Sequence, residues 1–224
     1  MRLTLRASDV YPPEVEILLR TLAARGFFER GLLIGGWAFP IYQRALGIDY
    51  PLKTFDIDFA LDKASSHPTF DLDESLRTMG CLPLDDHQTG LRKYTWAGFE
   101  VEFLVHRAGG RDVAKTDIRD LNISAVPLPF LSLLFHRPLT VDLGGCEIRV
   151  PEAESFFLHK LIVAQRRRKA VKKANDLAQC RALIPKLDHQ LLADVVAELK
   201  ASLKTRRQIR LSCEEIGFPP QFTD

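Results

Sequence analysis

The chain has 224 residues, of which 46% are hydrophobic, and its 31 lysines and arginines nearly balance 29 aspartates and glutamates. This apolar content is enough for a sizeable core and excludes a disordered chain, and a net charge of +2 excludes a protein that binds polyanions over its whole surface. No stretch reaches the ~18 apolar residues of a membrane span and no secretory signal follows Met1, so we expect a cytoplasmic protein without a membrane partner.

The predicted elements alternate between helices and strands as far as residue 150. A proline pair, an apolar stripe at helical spacing and a closing Gly26 predict the first helix, over 12–25. The next elements, in chain order, are a buried strand over 32–34, a helix over 37–46, a strand over 54–61, a helix over 72–79, a strand pair over 92–96 and 99–105, and a second pair over 139–143 and 146–150. From residue 152 the periodicity predicts helices only, over 152–167, 170–184, 188–203 and 206–216.

This order of elements predicts an α/β (α+β) fold. We expect a small mixed β-sheet with flanking helices in residues 1–150 and a helical C-terminal region, packed on it, in residues 151–224.

The four cysteines, at positions 81, 146, 180 and 213, form no C-x-x-C pair, which predicts buried thiols rather than a zinc or redox site. The sequence also has neither a P-loop nor a Gly-x-Ser-x-Gly elbow, which argues against those two enzyme classes.

A strand with paired carboxylates is the most informative feature. Side chains alternate between the faces of a strand, so Asp56 and Asp58 share one face and the apolar side chains of 54–61 take the other. Neighbouring carboxylates repel each other unless a cation compensates them, and Mg²⁺ suits this role because it binds carboxylate oxygens and keeps positions for water and phosphate. The alternative is a strand with one wet face on which the pair is merely solvated.

A second acidic strand strengthens the metal interpretation. Glu100 and Glu102 also share one face, opposite apolar side chains. If this strand lies beside the first, one glutamate completes a cluster of three carboxylates that is able to hold one or two metal ions. We favour Glu102, because Glu100 directly follows a turn and is expected to be exposed.

A glycine pair, Gly35-Gly36, lies between a buried strand and a helix. Glycines let the backbone approach a phosphate, and the start of a helix offers free N–H donors. A tight turn that binds no ligand explains the pair equally well.

Together these features resemble the nucleotidyltransferase superfamily typified by DNA polymerase β, whose signature is a Gly-Gly or Gly-Ser turn, an Asp-x-Asp strand and a third acid on a later strand. Within it, the chain is similar to a bacterial family of stand-alone nucleotidyltransferase-fold proteins and, more distantly, to the nucleotidyltransferase toxins of abortive-infection systems. The similarity covers roughly residues 10–185 and is carried by residues 33–39, 54–60, 159–163 and 173–179. Bulky Trp37, directly after the glycine pair, departs from the pattern and is expected to narrow the pocket.

The resemblance implies a metal-dependent enzyme that uses an NTP such as ATP, with Mg²⁺ or Mn²⁺ as its cofactor. It assigns catalysis and metal binding to Asp56, Asp58 and Glu102. The residues expected to bind the nucleotide are Gly35, Gly36, Thr54, Lys160, Lys173 and Asp176.

A run of positive charge lies at the start of the helical region. Between Gln165 and Asn175 there are six lysines and arginines and no acid. Such a surface suits a triphosphate or an RNA backbone, and we assign acceptor binding to Arg166, Arg167 and Lys169. A solvated charged face is the alternative, and the lack of interleaved aromatic residues weakens the nucleic-acid version.

The favoured function is transfer of a nucleotidyl group from an NTP to an acceptor hydroxyl on RNA, a protein or a small molecule, with release of pyrophosphate. The alternative is a catalytically inactive module on the same fold that binds a nucleotide or a partner, for example in a defence or toxin–antitoxin pair. Convergence of the three acids within metal-bridging distance separates the two hypotheses. The sequence leaves open which NTP and which acceptor are used, and the oligomeric state.

Overall fold

The chain folds into two compact units. The structure is a computed structural model that describes residues 2–6, 9–52, 54–63, 70–107 and 113–219. The first unit, which we call the sheet unit, comprises Met1–Ile41 and Leu52–Pro151, and the second, which we call the helical unit, comprises Tyr42–Pro51 and Glu152–Asp224. Mixed sheets and helices confirm the predicted α/β fold class.

Strands and helices alternate along the first part of the chain. The helices here are α1 (Pro13–Ala24), α2 (Phe39–Leu46) and α3 (Leu72–Met79). The strands are β1 (Arg2–Leu5), β2 (Gly31–Ile34), β3 (Asp56–Leu61), β4 (Leu82–Asp85), β5 (Arg92–Trp96), β6 (Phe99–His106), β7 (Thr116–Ile118), β8 (Ile123–Leu128), β9 (Leu139–Leu143) and β10 (Glu147–Val150).

The main sheet of the sheet unit is built around two parallel neighbours. Its strand order is β2-β3-β6-β5-β4, with β3 and β6 parallel and β2 and β5 antiparallel to them. β8 pairs parallel with the end of β6 and antiparallel with β7. A second, three-stranded sheet has the order β1-β9-β10.

Apolar packing covers the sheet unevenly. One face carries an aromatic cluster, in which Phe59 and Phe103 stack at a centroid distance of 5.7 Å and Phe27 meets both edge-on. On the opposite face, a 3₁₀ turn at Leu131–Phe135 packs over Ala60 and Leu104 at the C-terminal ends of β3 and β6. The N-terminal ends of these two strands, where the carboxylates lie, are the less buried part of the same face.

The helical unit is organised around one buried helix. Its helices are α4 (Ala153–Ala164), α5 (Ala170–Leu183), α6 (His189–Leu199) and α7 (Leu203–Ile216), and α4 packs against the other three. The segment from residue 42 to residue 51 joins this unit, where the ring of Tyr42 meets Phe156 of α4 at 5.7 Å. Side-chain caps at Asp188 and Ser202 satisfy backbone N–H groups at the starts of α6 and α7.

Some elements differ from the sequence prediction. The short strand β4 and the strand β8 were not predicted, because Pro83 and Pro127 interrupt the β-pattern of these segments. The glycine pair opens a 3₁₀ turn over Gly35–Ala38, and α2 begins only afterwards.

All four cysteines are buried and free, as predicted. In the part of the chain that the structure describes, no helix is long and apolar enough to cross a membrane.

Candidate active site

The two acidic strands are direct neighbours. In the parallel pairing of β3 with β6, Asp56 lies beside Glu100 and Asp58 beside Glu102. The alternation of side chains places all four carboxylates on one sheet face, on strands whose backbones lie about 4.8 Å apart. Asp56 is exposed, whereas Asp58 and Glu102 are half-buried. The predicted juxtaposition of Asp58 with a glutamate of the second strand is therefore present.

A lysine that the sequence analysis did not single out contacts both glutamates. The ammonium nitrogen of Lys93, on β5, lies 2.6 Å from Glu100 Oε1 and 2.8 Å from Glu102 Oε1. Burial alone would lower the pKa of Lys93, but the hydrogen bonds and charges of the two glutamates outweigh it and raise that pKa. Glu102 is thus held by a cation of the chain itself.

The signal for Lys93 was present in the sequence. The two-residue turn at Ala97-Gly98 fixes the register of the hairpin, in which Trp96 pairs with Phe99 and Thr95 with Glu100. Continuing this register by two residues sets Lys93 opposite Glu102, on the same face of the sheet.

The first glycine of the pair packs against the acidic strand. Gly35 has φ +67°, and a Cβ atom built there would lie 2.5 Å from Asp58 Oδ2. A side chain at this position would therefore be strained and would collide with the carboxylate. The glycine brings the backbone of the turn directly against Asp58.

The second glycine packs against the segment that leads into the same strand. A Cβ atom at Gly36 would lie 2.7 Å from Thr54 Cγ2 and 3.2 Å from Leu52 Cδ1. Thr54 Oγ1 accepts a hydrogen bond from the backbone N–H of Asp56 at 3.1 Å, which fixes the start of β3. These close approaches account for both glycines, and phosphate binding by their N–H groups stays a prediction.

Trp37 follows the two glycines in the same 3₁₀ turn. Its side chain is buried, and its ring meets Phe99 edge-on at 5.4 Å and Tyr11 at 6.3 Å. Within the described part of the chain, the indole Nε1 has no hydrogen-bond partner. The bulky side chain that departs from the family pattern is therefore directed into the core of the sheet unit.

The chemistry of the donor set suits a hard divalent cation. Asp56 and Asp58 offer carboxylate oxygens on one face, at the less buried end of the strand, and Gly35 lets the backbone of the turn come directly against Asp58. Within the described ranges, no three His, Cys, Asp or Glu side chains are arranged to hold a metal ion together. The bond between Lys93 and Glu102 is a physical reason why Glu102 does not form such a group with the two aspartates.

Three of the predicted polar residues meet inside the helical unit. Lys160 Nζ lies 2.7 Å from Asp176 Oδ1, and Arg167 Nε lies 2.6 Å from Asp176 Oδ2. Burial alone would raise the pKa of Asp176, but the two cations outweigh it and hold that pKa below its ordinary value. Lys160, assigned above to the triphosphate, is buried, lies over the ring of Phe156 and is bonded to this carboxylate.

The other predicted cations lie nearer the surface of the helical unit. Lys173 bonds Glu215 at 2.7 Å and Gln165 at 3.3 Å, and Arg166 bonds Gln208. Lys169 is exposed at the residue that precedes α5. All three residues assigned to acceptor binding are exposed, and of these Arg166 and Arg167 already bond side chains of this unit.

A buried histidine in α4 was not assigned any role. His159 lies next to Lys160, and its buried Nε2 atom has no hydrogen-bond partner among the residues that the structure describes. Burial, with a smaller contribution from the charge of Lys160, lowers the pKa of His159 to about 3. The imidazole is therefore neutral at physiological pH.

Solved structures with a similar course of the chain include the following two proteins. One is an antigenic nucleotidyltransferase-like protein from Paracoccidioides brasiliensis, at 14% identity and a TM-score of 0.44, with 94% of each chain covered. The other is the antibiotic-resistance factor ANT(2'')-Ia, at 14% identity and a TM-score of 0.42, with 90% of this chain and 97% of that chain covered.

Sequence comparison gives the firmer result. No curated protein is similar enough to this chain to count as a relative. A family model described as a nucleotidyltransferase matches residues 14–204, which is most of the chain. The narrower likenesses to polymerase β and to abortive-infection toxins stay predictions. The chain belongs to this nucleotidyltransferase family.

Proposed function

We propose that this protein is a metal-dependent enzyme that transfers a nucleotidyl group from an NTP to an acceptor hydroxyl. The observation that carries the proposal is the register of β3 and β6, which sets Asp58 beside Glu102 at the less buried end of the sheet. The close approach of the Gly35 backbone to Asp58 supports it, because it brings the glycine turn and the acidic pair into one place. Membership of the nucleotidyltransferase family supports the class of reaction.

The roles of the acidic residues follow from their surroundings. Asp56 and Asp58 would hold Mg²⁺. Glu102 would become a third ligand if its ion pair with Lys93 opened. A bound Mg²⁺ lowers the pKa of an acceptor hydroxyl and offsets the charge of the departing pyrophosphate.

The reaction itself is a substitution at phosphorus. The acceptor oxygen bonds to the α-phosphorus of the NTP, the bond from that phosphorus to the oxygen bridging to the β-phosphate breaks, and pyrophosphate leaves with the bonding electrons. The proton of the acceptor hydroxyl passes to water. The glycine turn would contribute backbone N–H groups to a phosphate, and Thr54 would keep β3 in position by its bond to the Asp56 N–H.

A non-catalytic module that binds a nucleotide or a partner is the second candidate. One observation favours it: Glu102 is bonded to Lys93, and no three ligand-type side chains are grouped for a metal among the residues described. In such a module the Asp56–Asp58 pair would be a remnant of an ancestral metal site.

Turnover of the acidic-strand variants separates the two candidates. Pyrophosphate release is measured with each NTP, Mg²⁺ and cell extract as the source of acceptor. We expect release by the wild type and a loss of more than about 100-fold in Asp58→Asn, because a metal ligand is removed. Asp117→Asn is the control, since Asp117 is an exposed carboxylate of the same unit that pairs with Lys115.

The result that would favour the binding module is also clear. It is the absence of pyrophosphate release with every NTP, together with NTP binding that is equal in wild type and Asp58→Asn.

A further inference from the structure

Lys93 lies at the border of the proposed metal site. It projects from β5 to the sheet face that carries Glu100 and Glu102, and its side chain is 31% exposed. Its ammonium group bonds one oxygen of each glutamate, at 2.6 Å and 2.8 Å. Because the register sets Asp58 beside Glu102, this ammonium lies one strand away from the aspartate pair.

Lys93 brings one positive charge to a face that is rich in negative charge. Four carboxylates, from Asp56, Asp58, Glu100 and Glu102, stand on two adjacent strands. Lys93 bonds the two glutamates. The aspartate pair lies on the far side of those glutamates from β5, since β6 separates β3 from β5.

Lys93 would lower the affinity of the aspartates for a divalent cation in two ways. The ammonium carries a like charge beside the glutamates of the neighbouring strand, and this charge weakens cation binding at the aspartates. It also holds the carboxylate of Glu102, which is the nearest additional oxygen ligand.

We propose that Lys93 is a built-in cation of this site, which competes with a divalent metal for Glu102 and thereby sets the affinity of the metal. The inference rests on the proposed function, because it takes Asp56 and Asp58 as the metal ligands. Lys93 is a positioning residue: it acts through Glu102.

Direct binding of Mn²⁺ tests the proposal without any need for turnover. Mn²⁺ prefers the same oxygen ligands as Mg²⁺, and its free concentration is read from its electron paramagnetic resonance signal. The full chain is titrated as wild type, Lys93→Met, Lys93→Arg, Lys115→Met and Asp58→Asn. Lys115 is the matched control because its side chain is 34% exposed and it pairs with Asp117 in the same unit.

We expect Lys93→Met to bind Mn²⁺ about tenfold more tightly than the wild type, because the variant lacks a like charge on the border of the site. Lys93→Arg and Lys115→Met should bind as the wild type does. An affinity in Lys93→Met that is unchanged or weaker would overturn the proposal. Lys93→Gln also removes the positive charge, so it too should bind Mn²⁺ more tightly than the wild type, and it covers the case in which Lys93→Met does not fold.

The Asp58→Asn titration distinguishes failure of this inference from failure of the proposed function. Loss of Mn²⁺ binding in Asp58→Asn, with no change in Lys93→Met, removes only the role of Lys93. A wild type that binds no Mn²⁺, or an Asp58→Asn variant that binds as the wild type does, removes the metal site and the inference together.

Discussion

Gly35 is the residue whose replacement reports most directly on the packing of the acidic strand. Gly35→Ala should destabilise the protein, because the left-handed backbone costs an alanine about 1–2 kcal/mol and because its Cβ would collide with Asp58 Oδ2 at 2.5 Å. Gly144→Ala is the matched control, since Gly144 has the same φ of +67° but its Cβ would meet only Arg20, at 3.9 Å. The free energy of unfolding in urea measures both.

The excess loss in Gly35→Ala over Gly144→Ala isolates the collision with Asp58. This excess should shrink when Asp58→Ala is added, because the obstructing carboxylate is then gone. Equal losses in the two glycine variants would show that the turn does not press on the acidic strand.

Asp176 is the central charge of the helical unit, and its loss should be severe. Asp176→Asn leaves Lys160 buried without a counter-charge, which is expected to lower the free energy of unfolding by about 3–5 kcal/mol. Glu215→Gln is the control: Glu215 pairs with Lys173 at the same 2.7 Å, but near the surface, and should cost less than about 1 kcal/mol. Similar losses in the two variants would contradict a structural role for the buried pair.

At the scale of elements, α4 should make stability depend on pH through His159. The pKa of His159 is lowered to about 3 by burial, so below pH 6.5 the unfolded chain takes up a proton that the folded chain does not. Stability should therefore fall as the pH drops from 6.5 towards 3, with one group contributing about 1.4 kcal/mol per pH unit in the middle of this range.

Comparison with His159→Leu isolates this contribution from the other titrating groups. Urea unfolding between pH 4.5 and 5.5 should show a slope that is shallower in the variant by about 1.4 kcal/mol per pH unit. Parallel slopes in the two proteins would mean that His159 is charged in the folded state, contrary to its burial in α4.

The segment between α4 and α5, together with the first turn of α5, carries the proposed contact with a polyanionic acceptor. The exposed Lys169 and Lys172 should be reversed to glutamate, because Arg167 is bonded to Asp176 and its reversal would disturb folding. We expect weaker binding of total cellular RNA and, in the wild type, an affinity that falls steeply with salt. An affinity that does not change between low and moderate salt would reject an RNA acceptor and favour a protein or a small molecule.

The elements predicted from the sequence are those defined by local signals. Alternation and a two-residue turn were enough for β5 and β6, and a proline, an apolar stripe and a glycine for α1. β1 was missed because its β-partner, β9, is more than a hundred residues away along the chain, as in the pair Leu3 and Val141. No local pattern reports such a pairing.

The site was predictable to the same extent. The carboxylates of β3 and β6 were found because alternation fixes which side chains share a face. Lys93, which bonds both glutamates, was not singled out. Lys160 and Asp176 are 16 residues apart in the chain and meet where α4 packs on α5, as expected if Asp176 orients one of the lysines. The roles given to Lys160, Lys173 and Asp176 in nucleotide binding therefore stay predictions, while their contacts within the helical unit are observed.

At the scale of the whole molecule, the helical unit is made from two separate segments of chain. Tyr42 is fully buried and its ring meets Phe156, so residues 42–51 supply part of this unit's core. A fragment of residues 152–224 should therefore melt without a cooperative transition when followed by circular dichroism. The same fragment with residues 42–51 fused through a flexible linker should regain one, and a cooperative melt of the short fragment would contradict this account.

We propose above that this chain transfers a nucleotidyl group by means of Asp56 and Asp58. The most direct measurement compares NTPs labelled with ³²P at the α- or the γ-phosphate, incubated with Mg²⁺, cell extract and either wild type or Asp58→Asn. The account predicts that the α-label enters a new product with the wild type alone and that the γ-label appears only in pyrophosphate. Transfer of the γ-label to the product, or equal α-labelling with Asp58→Asn, would contradict it.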